Sequence, residues 1–86
     1  MIVLFYGKTL EYTNGVKLFK IETCAGIREL INQLGVFYGE RLKEFLSGSE
    51  TCFFLLNGKG IMMTGGLDTK LQFGDKIEVL PFMDAG

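Results

Sequence analysis

The chain has 86 residues, of which 48% are hydrophobic and 22% charged, with a formal net charge of −1. That balance predicts one globular domain over residues 1–86 and argues against disorder. There is no basic run and no apolar stretch near the ~20 residues that span a bilayer, so neither a nucleic acid nor a membrane is expected as a partner.

Histidine is absent, and there are two cysteines, Cys24 and Cys52. Without histidine the commonest general base is missing, which counts against a self-contained enzyme. Two well-separated cysteines make neither a zinc site nor a disulfide scaffold. They are expected as unpaired, core or half-buried residues in a reducing cytoplasm.

Met1 to Tyr6 is a continuous apolar run of β-formers and reads as a first strand. It has no basic segment before it and no small-residue cleavage site after it, so it does not read as a signal peptide. Asn14-Gly15 is a two-residue hairpin signal, because both residues tolerate positive φ. Beyond it, Val16 to Glu22 largely alternates, with Val16, Leu18 and Ile21 expected to point inward. The period then changes. Ile27, Leu30, Ile31 and Leu34 lie on one face of a helix, and Gly35 is expected to stop it. A shorter helix follows around Glu40 to Leu46, with Leu42, Phe45 and Leu46 facing the core.

Thr51 to Leu56 is a second unbroken apolar run of strand length, closed by Asn57-Gly58. Ile61-Met62-Met63 is expected as a brief edge strand. Gly65-Gly66 is not followed by Gly-Lys-Ser/Thr and reads as a turn, not a phosphate loop. Asp68 and Asp75 are expected as turn caps. The last strand is Lys76 to Phe82, with Pro81 near its end, where a missing N–H is tolerated. Glu78 reads as an exposed strand residue.

The order β-β-α-(α)-β-(β)-β predicts an α+β fold: a mixed four- to five-stranded sheet with one main helix and a short second helix on one face. If the first and last strands pair, they do so in parallel. This is the β-grasp, or ubiquitin-like, arrangement. Helices cover one face of such a sheet, yet Ile2 to Tyr6 and Phe53 to Leu56 are apolar at successive positions. The other face is therefore expected to carry an apolar patch that docks another protein. The rivals are a cover formed by the loop from Gly58 to Lys70, or a second copy of the chain.

Three segments carry a resemblance. They are Leu55-Leu56-Asn57-Gly58-Lys59, Gly65-Gly66-Leu67-Asp68-Thr69-Lys70-Leu71 and Gly74-Asp75-Lys76-Ile77-Glu78-Val79-Leu80-Pro81. In this order, and with a tail of this length after the proline, the chain resembles the MoaD/ThiS family of ubiquitin-like sulfur carriers, and MoaD most of all. The resemblance is specific from about Phe54 to Gly86 and rests on element order upstream. It implies that Gly86 is the working residue. An E1-like adenylyltransferase of the MoeB/ThiF type would adenylate its carboxylate with ATP. A sulfurtransferase would convert the adenylate to a thiocarboxylate, and a MoaE-like large subunit would receive the sulfur for molybdopterin synthesis. Asp84, Ala85 and Met83 would thread into the partner as a flexible tail over 83–86. Leu80, Pro81 and Phe82 would bind it. No metal or cofactor would reside on the carrier, and ATP would be the activating partner's.

Four extended residues reach roughly 13 Å. Glycine at the end has no Cβ to obstruct a narrow channel. The family ends in Gly-Gly, whereas this chain ends in Asp84-Ala85-Gly86. If the bound tail needs a left-handed residue at position 85, alanine costs about 1–2 kcal/mol there. Alternatives are a ThiS-like carrier or protein modifier serving another sulfur acceptor, and an interaction module whose terminus is inert.

Overall fold

The computed structural model describes residues 1–22, 24–48 and 51–82. Five strands form one sheet: β1 (Ile2–Phe5), β2 (Leu18–Lys20), β3 (Cys52–Leu56), β4 (Lys59–Gly60) and β5 (Lys76–Pro81). Their order is β2-β1-β5-β3-β4. β1 and β5 pair in parallel, with Ile2 beside Lys76 and Phe5 beside Val79, and the other pairs are antiparallel. The last strand thus lies at the centre of the sheet. Two helices, α1 (Ile27–Tyr38) and α2 (Glu40–Ser47), cover one face. This is the ubiquitin-like β-grasp.

The core sits between sheet and helices. Val3, Phe5, Cys52, Phe54, Ile77 and Val79 are buried from the sheet, and Ile27, Leu30, Ile31, Leu34, Leu42 and Leu46 from the helices. The helical residues are those that the apolar period selects. Phe45 is only half-buried and packs on Tyr12, ring centroids 4.9 Å apart. Both cysteines are free and buried.

Gly35 does not end α1. The helix runs on to Tyr38 and stops at Gly39, whose φ of 114° suits glycine and whose N–H bonds the Gly35 carbonyl at 2.8 Å. Gly35 is buried where the two helices touch, and a Cβ there would lie 2.8 Å from Lys43 Cβ. A glycine chosen for close packing has the same sequence signature as one chosen for a stop.

The opening hairpin differs too. β1 and β2 do pair antiparallel, but a 3-10 turn over Gly7–Glu11 and further turns connect them. Asn14 and Gly15 have the expected positive φ, within a longer connection held by Gly15 N–H to the Leu10 carbonyl. Register then reverses the predicted faces of β2. Phe19 pairs with buried Val3 and so shares its inner face, which turns Leu18 outward. Val16 is 39% exposed and Leu18 42%, whereas Ile21 packs on the core as expected.

Asn57-Gly58 makes the tight hairpin, at φ 51° and 88°, and pairs β3 with β4. The edge strand is Lys59–Gly60. Ile61–Met63, expected as a strand, is a 3-10 turn with Ile61 buried and Met62 and Met63 exposed. Asp75 caps its turn, its carboxylate accepting from the Gln72 N–H at 2.7 Å. Asp68 instead accepts from Arg28 Nε at 2.9 Å, in an exposed ion pair.

Candidate functional site

Alternation places Ile2, Leu4, Leu18, Phe53, Leu55, Glu78 and Leu80 on the face away from the helices, with Lys20 and Lys76 flanking Ile2. Leu18, Leu4, Glu78 and Leu55 form one row across four strands. Phe53 lies beside Leu80 in the next row and is 38% exposed. The loop from Gly58 to Lys70 does not cover this face. It sends Ile61 and Leu67 against the core cluster and contacts α1, on the helix side. The apolar outer face expected from the unbroken runs is therefore open among the described residues.

The C-terminal end of β5 is held on both sides. Tyr6 N–H bonds the Val79 carbonyl at 3.2 Å, and Phe82 N–H bonds the Thr51 carbonyl at 3.2 Å. A Cβ at Gly7 would lie 3.0 Å from Pro81 Cγ, so the start of the 3-10 turn after β1 packs closely on Pro81. Leu80 and Pro81 are half-buried within β5. Phe82, expected as the last strand residue, lies just beyond it. Its ring is 46% exposed and sits 5.3 Å from that of Phe53. Met83, Asp84, Ala85 and Gly86 lie outside the described residues.

Reading the sequence alone includes Tyr6 and Phe53 in the apolar runs but misses what each of them touches. Tyr6 donates a 2.9 Å hydrogen bond to Glu78, which makes Glu78 a paired acid within an apolar face. Phe53 forms the aromatic shelf under Phe82. The alternation of the two strands carried the signal for both, but only the register joins them.

The described residues offer little chemistry of their own. No group of three or more His, Cys, Asp or Glu among them is placed to hold a metal ion. Burial pushes the Cys52 thiol up to about 11, and the Cys24 thiol is raised for the same reason. Neither is an activated nucleophile. No helix in the described residues is long and apolar enough to cross a membrane. What is built here is an open, largely apolar face and a firmly held root for the residues after Phe82.

Comparison with known proteins agrees with this geometry. The model of the ThiS family matches residues 3–86. No curated protein matches the sequence. Among solved structures, a chain of the complex of molybdopterin-converting factor subunits 1 and 2 from Helicobacter pylori is 30% identical. That match covers 99% of this chain and 96% of the other, at a TM-score of 0.67. A chain of the BexX/CysO complex of Amycolatopsis orientalis is 18% identical, covering 99% and 98%, at a TM-score of 0.81. The thiamine biosynthesis protein ThiS of Geobacter metallireducens is 23% identical, covering 100% of both chains, at a TM-score of 0.53. With a family match over nearly its whole length and the β-grasp fold to go with it, the chain belongs to the ThiS family, among the MoaD/ThiS ubiquitin-like sulfur carriers.

Proposed function

We propose that this chain is a MoaD-like sulfur carrier whose Gly86 carboxylate is charged and discharged by other proteins. A carboxylate is ionised at neutral pH and is a poor electrophile. An E1-like adenylating enzyme overcomes this by letting the Gly86 carboxylate attack the α-phosphorus of ATP, with pyrophosphate leaving. The persulfide of a sulfurtransferase then displaces AMP to give an acyl disulfide. A second thiol of that partner attacks the partner-side sulfur, so that the thiocarboxylate leaves on Gly86 and a disulfide remains on the partner. A MoaE-like large subunit takes the tail and passes the sulfur to a molybdopterin precursor. The chain acts as cosubstrate and holds no metal or cofactor of its own.

The likeness to the Helicobacter pylori molybdopterin-converting factor chain carries this choice of acceptor. The outer face supports the division of labour. It is an apolar docking surface continuous with the root of the tail, on a molecule with no activated nucleophile among its described residues. Ala85, standing where the family has glycine, and the acidic Asp84 before it favour one alternative: a carrier matched to a different activating enzyme and a different sulfur acceptor.

The test is to incubate the protein with ATP, an E1-like adenylating enzyme and a sulfurtransferase, then weigh it intact. The expected product is heavier by the difference between sulfur and oxygen, located at Gly86. An unchanged mass with the cognate enzymes would leave an inert interaction module.

A further inference from the structure

β3 is longer than the strand that pairs with its outer side. β4 covers Leu55 and Leu56 only. The Thr51 carbonyl and the Asn57 N–H both bond the β5 side, to Phe82 and Lys76. Main-chain direction alternates along an antiparallel strand, so Cys52 and Phe54 aim their N–H and C=O groups the other way. There Cys52 meets no strand among the described residues, and Phe54 lies opposite Ile61, where the chain has already left β4.

The same edge borders a cavity of about 230 Å³, lined mainly by apolar atoms. Leu46, Phe54 and Ile61 are its buried walls, and Leu67, Met62 and Phe82 complete it. An apolar cavity of about 150 Å³ holds a benzene ring, and small-molecule sites run to roughly 300–1,000 Å³. This cavity has the size for one large side chain. Gly48 also lines it.

The position of the cavity selects its occupant, granted the reading of Gly86 as the charged carboxylate. Four residues lie between Phe82 and the end of Gly86, a reach of roughly 13 Å. A protein that takes Gly86 into its own site must bring its surface onto the surroundings of Phe82. It then meets a free strand edge and an apolar hole side by side. We propose that the E1-like adenylating enzyme, on receiving the tail, adds an extended segment of its own to the Cys52–Phe54 edge of β3 and inserts one bulky apolar side chain of that segment into the cavity. Main-chain hydrogen bonds align such a segment and a single side-chain pocket gives it specificity.

Met62 and Met63 supply the test, since both are strongly exposed but only Met62 lines the cavity. The full chain is offered to the E1-like adenylating enzyme, and ATP–pyrophosphate exchange is followed. Met62→Asp should raise KM about tenfold with kcat held, the loss of one interface anchor, while Met63→Asp behaves as wild type. Leu67→Phe, which narrows the cavity, should act like Met62→Asp. The amides of Cys52 and Phe54 should exchange with deuterium more slowly in the complex than in the free chain. Equal KM for the two methionine variants, or equal exchange free and bound, overturns the proposal and leaves the carrier reading standing. Protection that appears on concentrating the chain alone assigns the edge to a second copy and overturns it. So does a change at the cavity methyls of the free protein on Met83→Ala, which assigns the cavity to the chain's own tail. No exchange activity with wild type overturns the carrier reading and this proposal with it.

Discussion

The phenol of Tyr6 donates a 2.9 Å hydrogen bond to Glu78, 72 positions further along the chain. The pair joins the end of β1 to the middle of β5 on the outer face. Its hydrogen bond to Glu78 raises the Tyr6 pKa first, with desolvation and the Glu78 charge acting in the same direction. A raised folded value means that the protonated phenol favours the fold. That contribution is present in full below the unfolded pKa of about 10 and is lost as pH climbs through the folded value. Glu78→Gln should lower the Tyr6 titration, read from phenolate absorbance, with Tyr6→Phe identifying its share of the curve. Identical curves for wild type and Glu78→Gln would mean that the bond does not form in solution.

Gly35→Ala sets helix propensity against packing. Alanine gains about 1 kcal/mol in a helix interior. Its Cβ would lie 2.8 Å from Lys43 Cβ, the stiff root of that side chain. Overpacking of this kind costs about 1–3 kcal/mol. The expected net loss is about 1 kcal/mol, or roughly 4–8 °C in Tm for a domain of this size. A stabilised variant would show that Gly35 serves no packing purpose.

Cys52 should be nearly inert in the native protein. Its thiol sits near 11, raised by burial. At pH 8 roughly one molecule in a thousand carries the thiolate that alkylating agents attack. Iodoacetamide should label Cys52 slowly in buffer and rapidly in denaturant, followed by intact mass. The raised value also means that the protonated thiol favours the fold, a contribution lost as pH rises through about 11. Rapid native labelling would contradict the burial of Cys52.

Removing Gly86 should separate fold from function. The last main-chain bond described near the C-terminal end is from Phe82 N–H to the Thr51 carbonyl. The truncated chain is expected to keep the wild-type Tm and to lose all ATP-dependent activation, measured by pyrophosphate release. A large drop in Tm would show that the end of the chain is part of the fold.

Much of this molecule is legible without coordinates. The apolar runs Met1 to Tyr6 and Thr51 to Leu56, the helical period from Ile27 to Leu34 and the Asn57-Gly58 turn each declare an element through local chemistry. Their order suffices for the β-grasp, and their unbroken apolarity for an open sticky face. The resemblance to the MoaD/ThiS family, carried by the segments from Leu55 to Pro81, is what points to Gly86 as the residue to test.

Other features are decided by neighbours distant in sequence. Val16 and Leu18 alternate correctly, but alternation states only that two faces differ. The pairing of Phe19 with Val3 decides which face is inner. Gly35 and Gly39 are equally plausible stops until α2 packs onto Gly35. Met62 and Met63 look like strand residues, yet the chain leaves the sheet at Gly60 and exposes β3 beyond it. The union of Tyr6 with Glu78 exists only because β1 lies parallel to β5, and that of Phe53 with Phe82 only because β3 lies antiparallel on the other side of β5. Periodicity is a property of single segments, whereas register and contact belong to pairs. The sequence by itself therefore determined the main strands and helices, their order and the last strand that leads to the C-terminal tail. Only tertiary packing decided which side chains surround the root of that tail.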